Sequence, residues 1–229
     1  MAKSKIIKQI ARGEVNTETA LKQLKLLLAE FPDQNLLTWV NKELTGYDKA
    51  DELPAYRSFA GTLKGSYLNY SIHVRNVGIP LGADAPEAIS KFCNTVEFRE
   101  SLSALRLLAE RDSNGELGVN VPPDFFPLLM KYSLLTMTAL LNARVIVGSA
   151  SIANVFSEVD NRILDILMLL EREFGCLDEL DIDLKDKTQE EVEDIQRQIS
   201  VYIYNDNSIH IGDNNNLKGS IIVSESEIQ

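Results

Sequence analysis

The sequence predicts an α+β fold that is mostly α, and three observations predict it. Apolar residues recur at helical spacing through most of the first 46 residues and again over 152–174. A stretch around 55–80 is punctuated by Gly and Pro and rich in Tyr, Phe, Ile and Val, the composition of short strands. Residues 199–229 repeat an alternating apolar triplet at a period of eight. The expected layout is a helical domain over 1–176 with a β insertion around 55–80, an acidic linker or exposed helix over 177–198, and a C-terminal β-repeat tail over 199–229.

Ile6, Ile7 and Ile10 give the first helix, stopped by Gly13. Asn16 or Thr17 caps the second, whose stripe is Ala20, Leu21, Leu24, Leu27 and Leu28. Phe31-Pro32-Asp33 breaks it. The third helix runs from Gln34 to Thr45, with Leu36, Leu37, Val40 and Leu44 on one face and Gly46 as the C-terminal cap. Tyr56 to Leu63 and Tyr67 to Val77 read as two or three small antiparallel strands. Ala85 to Ala109 returns to one helical pattern that begins at Pro86. Leu117 to Val121 reads as extended, and Pro122-Pro123-Asp124 opens another helix. Tyr132 to Ile146 is apolar around most of its circumference, so it is a short strand or the buried end of that helix. Ile152 to Phe174 is the clearest amphipathic helix, with Val155, Phe156, Val159, Ile163, Ile166, Leu167 and Leu170 on one face and Gly175 beyond it.

The tail reads ISVYIYNDNS, IHIGDNNN, LKGSIIVSES. Val201, Ile209 and Leu217 coincide at a period of eight, and Ile203 falls on Ile211. Asn, Asp and Gly fill the corners, where the backbone turns left-handed at low cost. The pattern suits a β-solenoid rung or a small β-prism. Such short rungs bury too little surface alone, so the tail is expected to stack on copies of itself, on its own helical domain or on a partner; a homo-oligomer through Val201, Ile203, Ile209, Ile211, Leu217 and Ile221 is the first expectation, a trimer slightly before a dimer.

Composition excludes several classes. With a net charge of -11, the chain is no general coat for nucleic acid, which needs dense Lys and Arg. The first 50 residues nevertheless carry eight Lys and Arg against six Asp and Glu, and Lys3, Lys5, Lys8 and Arg12 form a weak basic stripe. No apolar run is dry enough for a bilayer span, and the N-terminus lacks a signal-peptide core, so a cytoplasmic location is expected. Cys93 and Cys176 read as reduced core thiols. No P-loop, dinucleotide fingerprint, HExxH or CxxC occurs, and His73 and His210 are the only histidines, so neither metal nor cofactor is called for.

Several of these segments resemble the AbiTii family. They are the Leu21 to Ala29 run, Trp39-Val40-Asn41-Lys42-Glu43-Leu44-Thr45-Gly46-Tyr47, and Leu53-Pro54-Ala55-Tyr56-Arg57. Asn161-Arg162-Ile163-Leu164, in the helix that closes the family domain, adds to it. The resemblance covers roughly residues 5–175, strongest before 58. It implies a role in bacterial abortive infection and phage resistance, and no established catalytic residues.

Glu43, Tyr47, Tyr56 and Arg57 are the candidate cluster. Glu43 and Tyr47, four apart, share a helix face, and Arg57 follows a Pro-fixed turn from which it can pair with Glu43. Either this is a buried ion pair locking helices to strands, which is the favoured reading, or Arg57 marks a pocket for phosphate or carboxylate. Three functions are consistent with this: an antiphage sensor or assembly component without catalysis; a small hydrolase or nuclease toxin using Arg57 with carboxylates; and an oligomeric scaffold whose tail recruits another protein. Expected partners are further copies of the chain and a phage or host protein, with nucleic acid disfavoured.

Overall fold

A computed structural model describes residues 3–111 and 115–204 of the chain. Helices α1 (Lys5–Ala11), α2 (Thr17–Leu28) and α3 (Asn35–Thr45) form as the apolar spacing requires. Asn16 is the cap of α2: its side chain accepts from the Thr19 amide at 2.8 Å. Ala20, Leu21, Leu24, Leu27 and Leu28 are all buried.

The strands are β1 (Ser58–Ala60), β2 (Thr62–Asn69), β3 (Ile72–Gly78), β4 (Thr95–Glu97), β5 (Glu116–Asn120) and β6 (Ala139–Gly148). Between them lie α4 (Glu87–Asn94), α5 (Leu102–Arg111) and α6 (Phe126–Tyr132), and after them α7 (Ala150–Phe174) and α8 (Gln189–Tyr204). Four strands make one antiparallel sheet in the order β3-β2-β6-β5, and β1 pairs with β4 apart from it. The β element is therefore larger than the local sequence suggests, because β6 joins it from far along the chain.

One reading is corrected here and one open reading is resolved. Residues 85–109 are not one helix: Thr95-Val96-Glu97 leaves the helical path to pair with Ser58 to Ala60, and buries Val96. The ambiguous 132–146 stretch is mainly strand. Its alternation is masked because Val145 and Val147 join the core while Ile146, on the opposite face, is also buried. Lys64 of β2 and Glu116 of β5 flank β6 and pair at 2.7 Å, bridging the strand over that side chain.

The acidic stretch is not simply a linker. Leu177 and Ile182 are buried, and from Gln189 the chain is a helix docked on α7 and α3 through Val192, Ile195, Ile199 and Ile203. Thr188 and Glu191 cap it reciprocally: Glu191 accepts from the Thr188 amide at 2.7 Å, and the Thr188 hydroxyl accepts from the Glu191 amide at 3.3 Å. Val201 and Ile203, expected on the first strand of the tail, lie in this helix on different faces, at 40% and 1% exposure. Ile209, His210, Ile211, Leu217 and Ile221 lie outside the described residues. Cys93 is buried as expected, but Cys176 is exposed. Among the described residues no helix is long and apolar enough to cross a membrane.

Glu171, near the end of α7, ties down the N-terminal segment. It accepts from the Ser4 hydroxyl at 2.6 Å and pairs with Lys3 at 2.8 Å. Burial pushes its carboxyl up, but the bonds from Lys3 and Ser4 outweigh this and hold it at about 2 against an ordinary 4.5. A folded pKa below the unfolded one stabilises above the unfolded value and loses that contribution as pH falls through the folded value. Glu171→Gln is therefore expected to melt lower at neutral pH and to show a flatter loss of stability between about pH 5 and 2. Thermal melts across that range check it; parallel profiles would mean that Glu171 contributes nothing to acid sensitivity.

Candidate functional site

The stripe Leu36, Trp39, Val40 puts Glu43 one further turn along the buried face of α3, and the carboxylate is fully enclosed. Gly46 then turns the chain with φ 99°, a conformation that a side chain resists. A Cβ there would stand 3.0 Å from the Arg99 carbonyl oxygen. This turn aims Tyr47 back at Glu43. Pro54 starts a 3-10 turn over Ala55–Arg57, closed by the Arg57 amide donating to the Pro54 carbonyl at 2.9 Å, and sends Arg57 inward.

Sequence and structure agree that these four residues meet. Arg57 Nη2 donates to Glu43 Oε2 at 2.6 Å and Nε to Oε1 at 3.2 Å. Its Nη1 donates to the carbonyls of Phe98 and Glu100, both at 2.8 Å. The hydroxyls of Tyr47 and Tyr56 each donate to Glu43 Oε1 at 2.7 Å, and Tyr56 accepts from Trp39 Nε1 at 2.9 Å. The guanidinium carbon lies 4.9 Å from the centre of the Tyr47 ring. Burial, reinforced by the adjacent Glu43 charge, pushes both phenols well above their ordinary 10, so they stay protonated as donors. Four hydrogen bonds from Arg57 and four onto Glu43 leave little capacity for a ligand. Neither side chain has any exposed surface. The cluster fastens α3 to the turn at 55–57 and to the segment between β4 and α5.

A cleft of about 870 Å³ opens beside it. Tyr47 and Tyr56 turn their flanks to it, with Trp39 and Lys42 of α3, Glu158 and Arg162 of α7, and Tyr204 at the end of α8 around the rim. Arg162 stacks 4.4 Å over the Tyr56 ring, donates to the Ile203 carbonyl at 3.1 Å and pairs with Glu158. Lys42 pairs with Asp51 at 2.6 Å. That bond, foremost, holds the Asp51 carboxyl below its ordinary value. The cleft thus presents aromatic edges, the paired Lys42 and Arg162, and Glu52, which has no ionic partner among the described residues. Sequence reasoning missed Lys42 and Tyr204 as wall residues, because the wall forms only once α8 docks; Arg162 was visible only as part of a helix motif.

The remaining candidates lie elsewhere. Lys3 serves Glu171, and Arg12 stands 3.5 Å from Glu14. His73 is exposed on β3 and accepts from Arg75 Nε at 3.3 Å. Among the described residues no group of His, Cys, Asp and Glu is placed to hold a metal ion. A family model described as AbiTii matches residues 4–196, further than the resemblance had reached and into α8. No curated protein and no solved structure matches the chain.

Proposed function

The chain belongs to the AbiTii family, an abortive-infection and phage-resistance family, and on that premise we propose that it serves phage defence by contact rather than by catalysis, as a sensor or assembly component. One observation carries this reading: the residues best suited to chemistry, Glu43 and Arg57 with their two tyrosines, are spent on one another in a sealed cluster. A hydrolase needs its working groups within reach of substrate, and Glu43 and Arg57 have no exposed surface. The cleft at 39–56 and 158–204 is the recess that such contact would use.

Phage challenge of cells expressing the chain separates the readings. Tyr47→Phe and Tyr56→Phe remove single hydroxyls from Glu43. Each is expected to weaken stability by about 1.5–3 kcal/mol, the worth of a bond to a charged group, and to lower protection only in step with melting temperature. Protection abolished at unchanged melting would favour the toxin with Arg57 and carboxylates. Removing 205–229 tests assembly through the tail: lost protection with the body still melting normally supports it, and full protection refutes it.

A further inference from the structure

The chain as a whole has 23 Lys and Arg against 34 Asp and Glu. The four strands of the large sheet invert that balance: their charged residues are Lys64, Arg75 and Arg144 with Glu116 alone opposing. All three cations share the face that points away from the core. Leu63, Tyr67, Ala143 and Val145 alternate with them on the buried side. Arg75 bonds His73, which pairs in register with Leu68.

Lys64 and Arg144 are direct partners across β2 and β6. Like charges in that position destabilise a sheet. Glu116 relieves only Lys64. Arg144 and Arg75 are exposed and make no ion pair among the described residues. They sit two strands apart, roughly 10 Å by the normal strand spacing. Asn120 and Asn142 stand near Arg144 as hydrogen-bonding groups, and among these outward positions no Phe, Tyr or Trp ring lies on the strands for a base to stack on, His73 being held by Arg75.

The complementary surface is on the same chain. Glu179, Asp181, Asp186 and Glu190 are exposed, and none has a hydrogen-bonding or ionic partner among the described residues. They cannot reach their own sheet. Strand β6 runs into the start of α7 and the acidic stretch follows its end. The 25 residues between span about 37 Å at 1.5 Å each.

We propose that the outward sheet face bearing Arg75 and Arg144 docks the acidic 179–190 stretch of a second copy of this chain. Two copies with antiparallel α7 helices make the contact twice about a two-fold axis, which closes the assembly. Two molecules of charge -11 repel at long range. At physiological salt that repulsion is screened beyond about 8 Å, so local complementarity decides.

Sedimentation velocity on the full chain tests this with two charge-reversed variants, Arg75→Glu/Arg144→Glu and Asp181→Lys/Asp186→Lys. Wild type is expected to dimerise, more weakly at high salt. Each variant alone is expected to associate at least about tenfold more weakly, with unchanged circular dichroism. An equimolar mixture restores both contacts, one with its native signs and one with them reversed, and regains the dimer. A monomeric wild type, a dimer indifferent to both variants, or a mixture that stays monomeric overturns the proposal. A single-stranded RNA probe shifted by wild type but not by Arg75→Glu/Arg144→Glu, with no dimer, assigns the face to nucleic acid instead.

Discussion

Arg57→Ala is expected to cost about 3–5 kcal/mol of folding stability, because it leaves the Glu43 charge buried without its counterion. For a chain of this size that corresponds to a fall in melting temperature of roughly 6–20 °C. Glu43→Gln should cost a similar amount by stranding the guanidinium between the Phe98 and Glu100 carbonyls. The two losses should not add in the double variant, since the second change removes a charge that the first has orphaned. Replacing both residues by apolar ones of matching volume should recover much of the loss. Thermal and urea melts of the four proteins decide the matter. Unchanged melting of Arg57→Ala together with lost phage protection would make Arg57 a binding group and overturn the structural role.

Ile199→Ala should lower stability by about 2–5 kcal/mol, the cost of a cavity where a fully buried side chain stood. Val201→Ala should stay within about 0.5 kcal/mol. The pair is diagnostic of conformation. On a strand, residues 199, 201 and 203 point the same way and both changes would matter alike. On the helix, 199 and 203 share the buried face and 201 turns outward. Equal losses in the two variants would restore the strand reading of this segment.

Helices α1, α2, α3 and α7 were legible because each carries its own stripe and its own stop, as in Leu21 to Leu28 or in α7 ahead of Gly175. The cluster was legible too: Glu43 sat on an apolar stripe where a carboxylate needs a partner, and Pro54 limited where Arg57 could go. What escaped was set by distant pairing. Val96 becomes strand only because Phe59 lies opposite, and nothing within 85–109 announces it. Strand β6 buries Ile146 opposite the core-facing Val145 and Val147, so its period of two is hidden along that stretch. Residues 199–204 alternate convincingly in isolation, yet Thr188 and Glu191 start a helix further back whose stripe at 192, 195, 199 and 203 outweighs that local preference. The cleft needed the docked position of α8, which no single segment encodes.

The strand order β3-β2-β6-β5 also governs how the chain matures as it is made. The hairpin of β2 and β3 is complete by residue 78, but its inner edge waits for β6, which begins at Ala139. At ribosomal speeds of about 5–20 residues per second, the 61 residues from Gly78 to Ala139 take roughly 3–12 s to emerge. During that interval β2 offers an unpaired edge beside Leu63 and Tyr67, the kind of template that captures foreign strands. Such late, long-range pairing marks a slow-folding topology. A cell that raises output of this protein quickly would therefore draw on its chaperones while β2 waits for β6.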